Sequence, residues 1–210
     1  MDIQMLQNRV ISLLKSPVAE MTKAKSEQIS KMDTIKNYVA ILALIPAIAT
    51  FIGHAFIGIS FGFFSYKYPI EYALVEAILI YVLQVASVFI SGFVINALAP
   101  NFASKQNEDQ AMKLAAFAAT PGLIGGIFNI YFGLAIIGTL LALYGLYILY
   151  LGIPVLMETP KDKAITYLIV IIIVNIVIFV IIGAIVAAVM AALFLSSLTA
   201  GYGSYGYRYP

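Results

Sequence analysis

The chain has 210 residues, of which 62% are hydrophobic and only 10% charged, with a net charge of +2, no Cys, no Trp and a single His. Water-soluble domains of this size carry about 45–50% apolar and about 25% charged residues, so these proportions exclude an ordinary soluble globule. The lack of cysteine excludes a disulfide framework and a cysteine nucleophile, a lone histidine leaves little for metal chemistry, and no cofactor or metal is expected.

In chain order, the first element is amphipathic. Ile3, Leu6, Val10, Leu13 and Leu14 recur at helical spacing opposite Gln4, Asn8, Arg9, Ser12 and Lys15, and Ser16-Pro17 ends the pattern. Beside basic residues and a membrane domain, such a helix fits the cytoplasmic membrane interface; a cap over the end of the bundle is the other reading, and the two are compatible. Residues 18–32 read as a polar, mixed-charge helical connector, and Asp33 suits the N-cap of the first span. No apolar run occupies the first 30 residues, so the first span is expected to insert uncleaved.

Four stretches then contain no Asp, Glu, Lys or Arg: Asn37 to Tyr66, Ala77 to Ser104, Leu114 to Met157 and Ala164 to Tyr207. A helix rises about 1.5 Å per residue and the hydrocarbon layer is about 30 Å thick, so roughly 20 apolar residues make one span. The first two stretches predict spans at 38–59 and 72–98. The third is twice too long for one crossing and must be a hairpin, turning at Asn129-Ile-Tyr-Phe-Gly133, with spans at 112–128 and 134–157. The fourth predicts one long, tilted span at 164–195. The fold class is therefore all-α: a polytopic transmembrane bundle of five spans with an N-terminal amphipathic interfacial helix. Its regions are an N-terminal segment 1–36, a membrane domain 37–195 and a disordered, external Tyr/Gly-rich tail 196–210.

Five spans put the termini on opposite sides. With the N-terminus inside, ten Lys and Arg residues (Arg9, Lys15, Lys23, Lys25, Lys31, Lys36, Lys105, Lys113, Lys161, Lys163) lie inside and two (Lys67, Arg208) outside. That asymmetry predicts a cytoplasmic N-terminus, an external C-terminus and the cell membrane as location.

Helices in lipid associate through small residues and hydrogen bonds. Ala118, Gly122 and Gly126 form a small face on span three, Gly138, Gly145 and Gly152 a groove on span four, and Gly183, Ala187 and Ala191 a similar face on span five. The short turn Glu158-Thr159-Pro160-Lys161-Asp162-Lys163 predicts that spans four and five are antiparallel neighbours, with span five filling the groove. Thr159 suits a cap, and Pro160 the first helical turn. Such faces are also compatible with an oligomer. Pro46, Pro121 and Pro154 should kink spans one, three and four, Pro121 being read either as a hinge or as shape alone.

Chemistry is sparse. Gly58-Ile-Ser-Phe-Gly62 matches G-x-S-x-G, with His54, Glu71 and Glu76 nearby, but that motif needs a strand-to-helix elbow, and here it follows a membrane helix. A turn at the membrane surface is the better reading, and no catalytic residue is assigned. Glu76, Gln84, Ser87 and Ser91 share one side of span two. His54, Glu76 and Gln84 form the candidate polar intramembrane site: a proton or cation site with His54 or Lys67 as partner to Glu76, or, favoured by its nearness to the helix end, a snorkelling or helix-dipole role for Glu76. The basic charge is modest and membrane-facing, so nucleic-acid binding is not indicated.

Four segments carry a resemblance. Gly92-Phe-Val-Ile-Asn-Ala-Leu-Ala-Pro100, Ala118-Ala-Thr-Pro-Gly122, Gly126-Ile-Phe-Asn129 and Tyr147-Ile-Leu-Tyr-Leu-Gly-Ile-Pro-Val-Leu-Met-Glu-Thr-Pro-Lys-Asp-Lys-Ala164 resemble the prokaryotic branch of the Yip family of five-span membrane proteins, as does Asn8-Arg-Val-Ile-Ser-Leu-Leu-Lys-Ser-Pro17 ahead of the first span. The family-motif positions are Pro121, Tyr150, Gly152, Pro154, Thr159, Pro160 and Lys163. The resemblance implies a non-enzymatic protein that organises membranes or recruits protein partners, with small GTPases as the partner class of its eukaryotic relatives. The chain carries no Tyr-Gly-Pro motif like that of those relatives. The competing expectation, from the residues alone, is a small solute or ion transporter with a polar face on span two.

Overall fold

The computed structural model describes residues 3–61 and 64–203. Two helices, α1 (Ile3–Lys15) and α2 (Pro17–Ser26), precede five helices long and apolar enough to cross a membrane. The spans are Lys31–Ile57, Ile70–Phe102, Glu108–Ile130, Phe132–Leu156 and Lys161–Ser196. Between spans one and two lies a hairpin of three-residue strands, β1 (Ile59–Phe61) and β2 (Phe64–Tyr66), with Ile59 opposite Tyr66. It is entered through Gly58 at φ 92°, a left-handed backbone that favours glycine.

Polar side chains cap the starts of spans one and three. Ser30, not Asp33, is the N-cap of span one: its hydroxyl oxygen accepts the Asp33 N–H at 3.0 Å and its O–H donates to the Asp33 carboxylate at 2.7 Å. Asn107 caps span three by accepting the N–H groups of Asp109 and Gln110. Spans three and four meet at Tyr131, inside the expected turn, where an extended residue separates two 3₁₀ segments. Span five continues as helix to Gly203, past the expected tail boundary at 196, and the remainder of the tail lies outside the described residues.

Span one is segmented. A π-turn covers Ile35–Val39, the helix breaks at Ala43, and a second π-turn covers Gly53–Ile57. Pro46 accounts for the central break: it has no N–H for the Leu42 carbonyl. Pro121 and Pro154, by contrast, lie within continuous helices.

Span three is the centre of the bundle. Ala111 to Phe117 are all buried, with spans one, two and four packed around it. The glycine groove of span four is filled by span three rather than by span five. A Cβ on Gly138 would sit 2.7 Å from the Gly125 carbonyl oxygen, and one on Gly145 would overlap the Ala118 carbonyl oxygen. Gly122 faces Ala142, while Gly126 turns the other way against Pro46 of span one. Gly183 has nothing within 4 Å of its Cβ position, so it makes no helix contact. Span five leans on span two, where Tyr167 stacks on Phe102 at 4.6 Å and donates its O–H to the Ile95 carbonyl. The physical reason is the turn: Thr159 and Ser104 join it to the end of span two, which draws span five to that side.

Both helix ends at this turn use left-handed non-glycine residues, Ala103 and Glu158, each at φ 53°. Replacing Ala103 by Gly relieves that conformation, and its benefit of about 1–2 kcal/mol exceeds the entropic cost of about 0.5–1 kcal/mol. Ala103→Gly is therefore expected to raise the melting temperature in detergent; a lower value would show that the backbone is not strained there.

Candidate functional site

The face bearing α1 and α2 is built by helix capping across the chain. The last carbonyls of a helix lack partners within it, and donors or cations placed there are favoured. Spans three and four supply them. Lys113 Nζ donates to the carbonyls of Ala24 at 2.9 Å and Glu27 at 2.6 Å, Gln110 Nε2 to that of Lys25 at 2.9 Å, and Tyr144 Oη to that of Leu14 at 2.9 Å. Leu6 and Leu13 of the amphipathic stripe are buried against the bundle, while Ile3, Met5 and Ile11 stay exposed.

Charges bind the two helices to each other. Arg9 grips Glu27 with Nη2 2.7 and 2.6 Å from its two carboxylate oxygens and reaches Glu20 through Nε at 3.3 Å. Its guanidinium lies over the Phe117 ring at 5.9 Å. Below, Tyr38 packs edge-on to Phe117 at 5.7 Å and hydrogen-bonds Thr120 at 2.7 Å. Between these groups is a cleft of about 380 Å³ with an aromatic floor of Tyr38 and Phe117 and a polar rim that includes Arg9, Glu27, Asp33 and Asn37. An apolar pocket with a few convergent polar groups is the usual form of a binding site.

The expected polar site lies at the far end of the bundle. His54 Nδ1 is 2.6 Å from Glu76 Oε2, and Glu76 is only 7% exposed, so its carboxylate turns inward to His54 rather than snorkelling out. Tyr68 tilts against the imidazole at 5.1 Å, and its N–H donates to the His54 carbonyl. Burial, with the Glu76 charge beside it, pushes the Tyr68 phenol above its ordinary value. Gln84 is not in this pair. It lines a separate cavity of about 210 Å³ with Pro46, Gly122, Asn129 and Thr139, and its Oε1 is buried without a partner. Ser60 stands in β1 and not at a strand-to-helix elbow, and Gly62 of that motif lies outside the described residues. Among the described residues no three His, Asp or Glu side chains converge as a metal site.

The motif positions around 150–163 have structural roles. Gly152 lets Leu114 and Met21 pack onto span four. Thr159 is buried; its hydroxyl donates to the Ile153 carbonyl at 3.2 Å and accepts from Ser104 at 2.8 Å. Pro160 stands just before span five, its carbonyl accepting from Lys163 and Ala164, whereas a place inside the first turn was expected. Glu158 bonds Lys25 at 3.1 Å and Lys105 at 3.6 Å, and Lys25 holds its carboxyl below the usual carboxylate range. Tyr150 and Lys163 are exposed. Pro121 is buried.

Lys113, Gln110 and Tyr144 carry no sequence signal for capping, because their acceptors lie 85 to 130 residues away. The only hint is a lysine placed one residue before a long charge-free stretch.

Five apolar spans joined by close small-residue contacts, with a capped helical pair on one face, define a multi-pass integral membrane protein. The Yip1 domain model matches residues 11–182, and the chain belongs to that family. Inner membrane protein YohC of Escherichia coli strain K12 is 30% identical over 164 residues, 76% of this chain and 84% of the relative. The YohC protein of E. coli O6:H1 matches to the same extent. No solved structure gives a significant match.

Proposed function

We propose that this protein is a non-enzymatic component of the cell membrane that recruits protein partners at the face formed by α1, α2 and the start of span three, with that face and the N-terminus in the cytoplasm. The observation that carries it is the cleft of about 380 Å³: a pocket with an aromatic floor and charged rim, at the end of a bundle of five apolar spans. Ten of the twelve basic residues fall on that side of a five-span topology, which supports the orientation. The relatives' name, inner membrane protein, supports the location. Small GTPases are the partner class that membership of the family suggests.

A photo-crosslinking residue at Asn37, on the cleft rim, is expected to yield a discrete protein adduct in native membranes, while one at the exposed Ile169 of span five yields lipid adducts only. The same adducts from both positions, or none from Asn37, would remove the cleft as the recruiting site. For orientation, a tag before Ile3 is expected to survive protease treatment of intact cells and one after Arg208 to be lost. Protection of both tags contradicts the five-span topology.

A further inference from the structure

We propose that span one carries a proton route across the bundle, with the His54–Glu76 pair as its relay at the far face, the Tyr38–Thr120 pair as its relay at the N-terminal face, and a small water-filled cavity between them. This activity is separate from partner recruitment.

The inward stripe of span one is Tyr38, Leu42, Pro46, Thr50 and His54, residues four apart, each about one turn above the last. Tyr38, Leu42, Pro46 and Thr50 are buried. Except for Leu42 and Pro46 each carries a polar group, and each polar group has a partner on span two or three. Tyr38 Oη meets Thr120 at 2.7 Å, Thr50 Oγ1 meets Asn129 Nδ2 at 3.4 Å and His54 Nδ1 meets Glu76 at 2.6 Å. Ionisable groups in a membrane helix are costly to keep, and a buried carboxylate with a paired imidazole is a functional arrangement by default.

The cavity between the relays offers polar groups to water and is open on the side of span four, where Thr139 and Ala142 are exposed. It measures about 210 Å³ and is lined by Gln84, Asn129 and Thr139 beside bare glycine backbone. The buried Gln84 Oε1 has no protein partner and so offers an acceptor to water. Toward the N-terminal face, Tyr38 opens on the cleft of about 380 Å³. On the stripe, buried Leu42 stands between Tyr38, which lines the cleft, and Pro46, which lines the cavity. Leu42 lies at the break in span one, where Pro46 leaves the Leu42 carbonyl without its helical donor. The π-turns at Ile35–Val39 and Gly53–Ile57 fall on the two relays, Tyr38 and His54, and π-turns within helices frequently mark functional positions.

At the far relay the step balances as follows. Nδ1–H of neutral His54 faces Glu76 Oε2; a proton from water binds His54 Nε2 while the Nδ1 proton passes to Glu76. This leaves a neutral imidazole of the opposite tautomer and a carboxylic acid, one proton more on the pair. The titratable neighbours are Tyr68, against the imidazole, and Tyr66, edge-on to Tyr68 at 5.7 Å. The exposed charges nearby in sequence are Lys67 in the loop and Glu71 at the start of span two, and the segment Gly126–Ile130 of span three has no titratable side chain.

Proteoliposomes loaded with a pH-sensitive dye, under a potassium diffusion potential set with valinomycin, test this. Wild type is expected to take up protons faster than protein-free vesicles, and Leu42→Ala, which opens the plug, faster still. A gain of rate is not what a failure to fold into the vesicles would give. Glu76→Gln in the Leu42→Ala background is expected to abolish the added flux. A Leu42→Ala rate equal to protein-free vesicles, or one that persists with Glu76→Gln, overturns the route. Because His54 is the only histidine, the nitrogen-15 resonances of its imidazole report on the pair directly. They are expected to shift in Glu76→Gln, and a ring indifferent to that substitution overturns the relay.

Discussion

Gly145→Leu is expected to lower the stability of the detergent-solubilised protein by about 1–3 kcal/mol, because no rotamer keeps the new Cβ clear of the Ala118 carbonyl oxygen. The obstacle is backbone, so relief requires spans three and four to separate along the contact that also seats Gly138 on Gly125. Alanine at Gly145, Gly152 and Gly183 should differ in kind. Gly152→Ala meets only the flexible ends of Leu114 and Met21, which can turn aside, and should cost less than Gly145→Ala. Gly183→Ala meets nothing and should gain up to about 1 kcal/mol from helix propensity alone. Thermal melts of the set decide it. Equal losses at Gly145 and Gly183 would mean that span five, rather than span three, lies in the groove.

Lys113→Met should release the N-terminal helices without melting the spans. The substitution keeps most of the buried stem but removes the Lys113 donor from the Glu27 carbonyl, at about 1–3 kcal/mol if that group stays buried, and leaves the Ala24 carbonyl only the Glu27 N–H at 3.2 Å. Arg9→Ala attacks the same assembly from the other side, leaving the buried Glu20 and the half-buried Glu27 without their shared cation. Removal of one partner of a buried ion pair costs about 3–5 kcal/mol, and the water that reaches Glu27 makes the loss here smaller. In both variants hydrogen exchange of amides 3–26 is expected to rise while spans three and four keep their protection, the mark of local rather than global opening. Unchanged exchange would show that burial of Leu6 and Leu13 alone holds these helices.

The five crossings were legible because charge and hydropathy act locally: a bilayer admits about 20 apolar residues, and Glu158 to Lys163 interrupt the run wherever the chain folds. The face of the span four stripe was legible for the same reason, whereas Gly126 of span three turns away from Gly122 and Gly183 of span five has nothing within 4 Å of its Cβ position. The neighbour of the span four stripe was not legible, since the period of Gly138, Gly145 and Gly152 fixes a side of span four without saying which helix arrives there. A short turn argued for span five, but Ser104 and Thr159 tie that turn to span two. In the polar site the pairing of His54 with Glu76 was legible as one of two options, whereas the place of Gln84 in a different cavity was not. Lys113 could not be found at all by counting charges, because the same lysine that borders a charge-free stretch also caps a helix 86 to 89 residues earlier.

The docking of span five has a consequence for where in a cell such a protein resides. Its apolar run from Ile165 to Leu195 is 31 residues, about 46 Å of helix, against a hydrocarbon layer of about 30 Å. Only its first half is anchored, through Tyr167 and Ile171 among the buried residues, and Phe179, Val180 and Ile181 face outward. A helix held at one end and free along the other can lean to match its surroundings, and leaning is least demanded where the bilayer is thick. Span five thus couples this bundle to bilayer thickness, and thicker, more ordered regions of membrane are where it should gather.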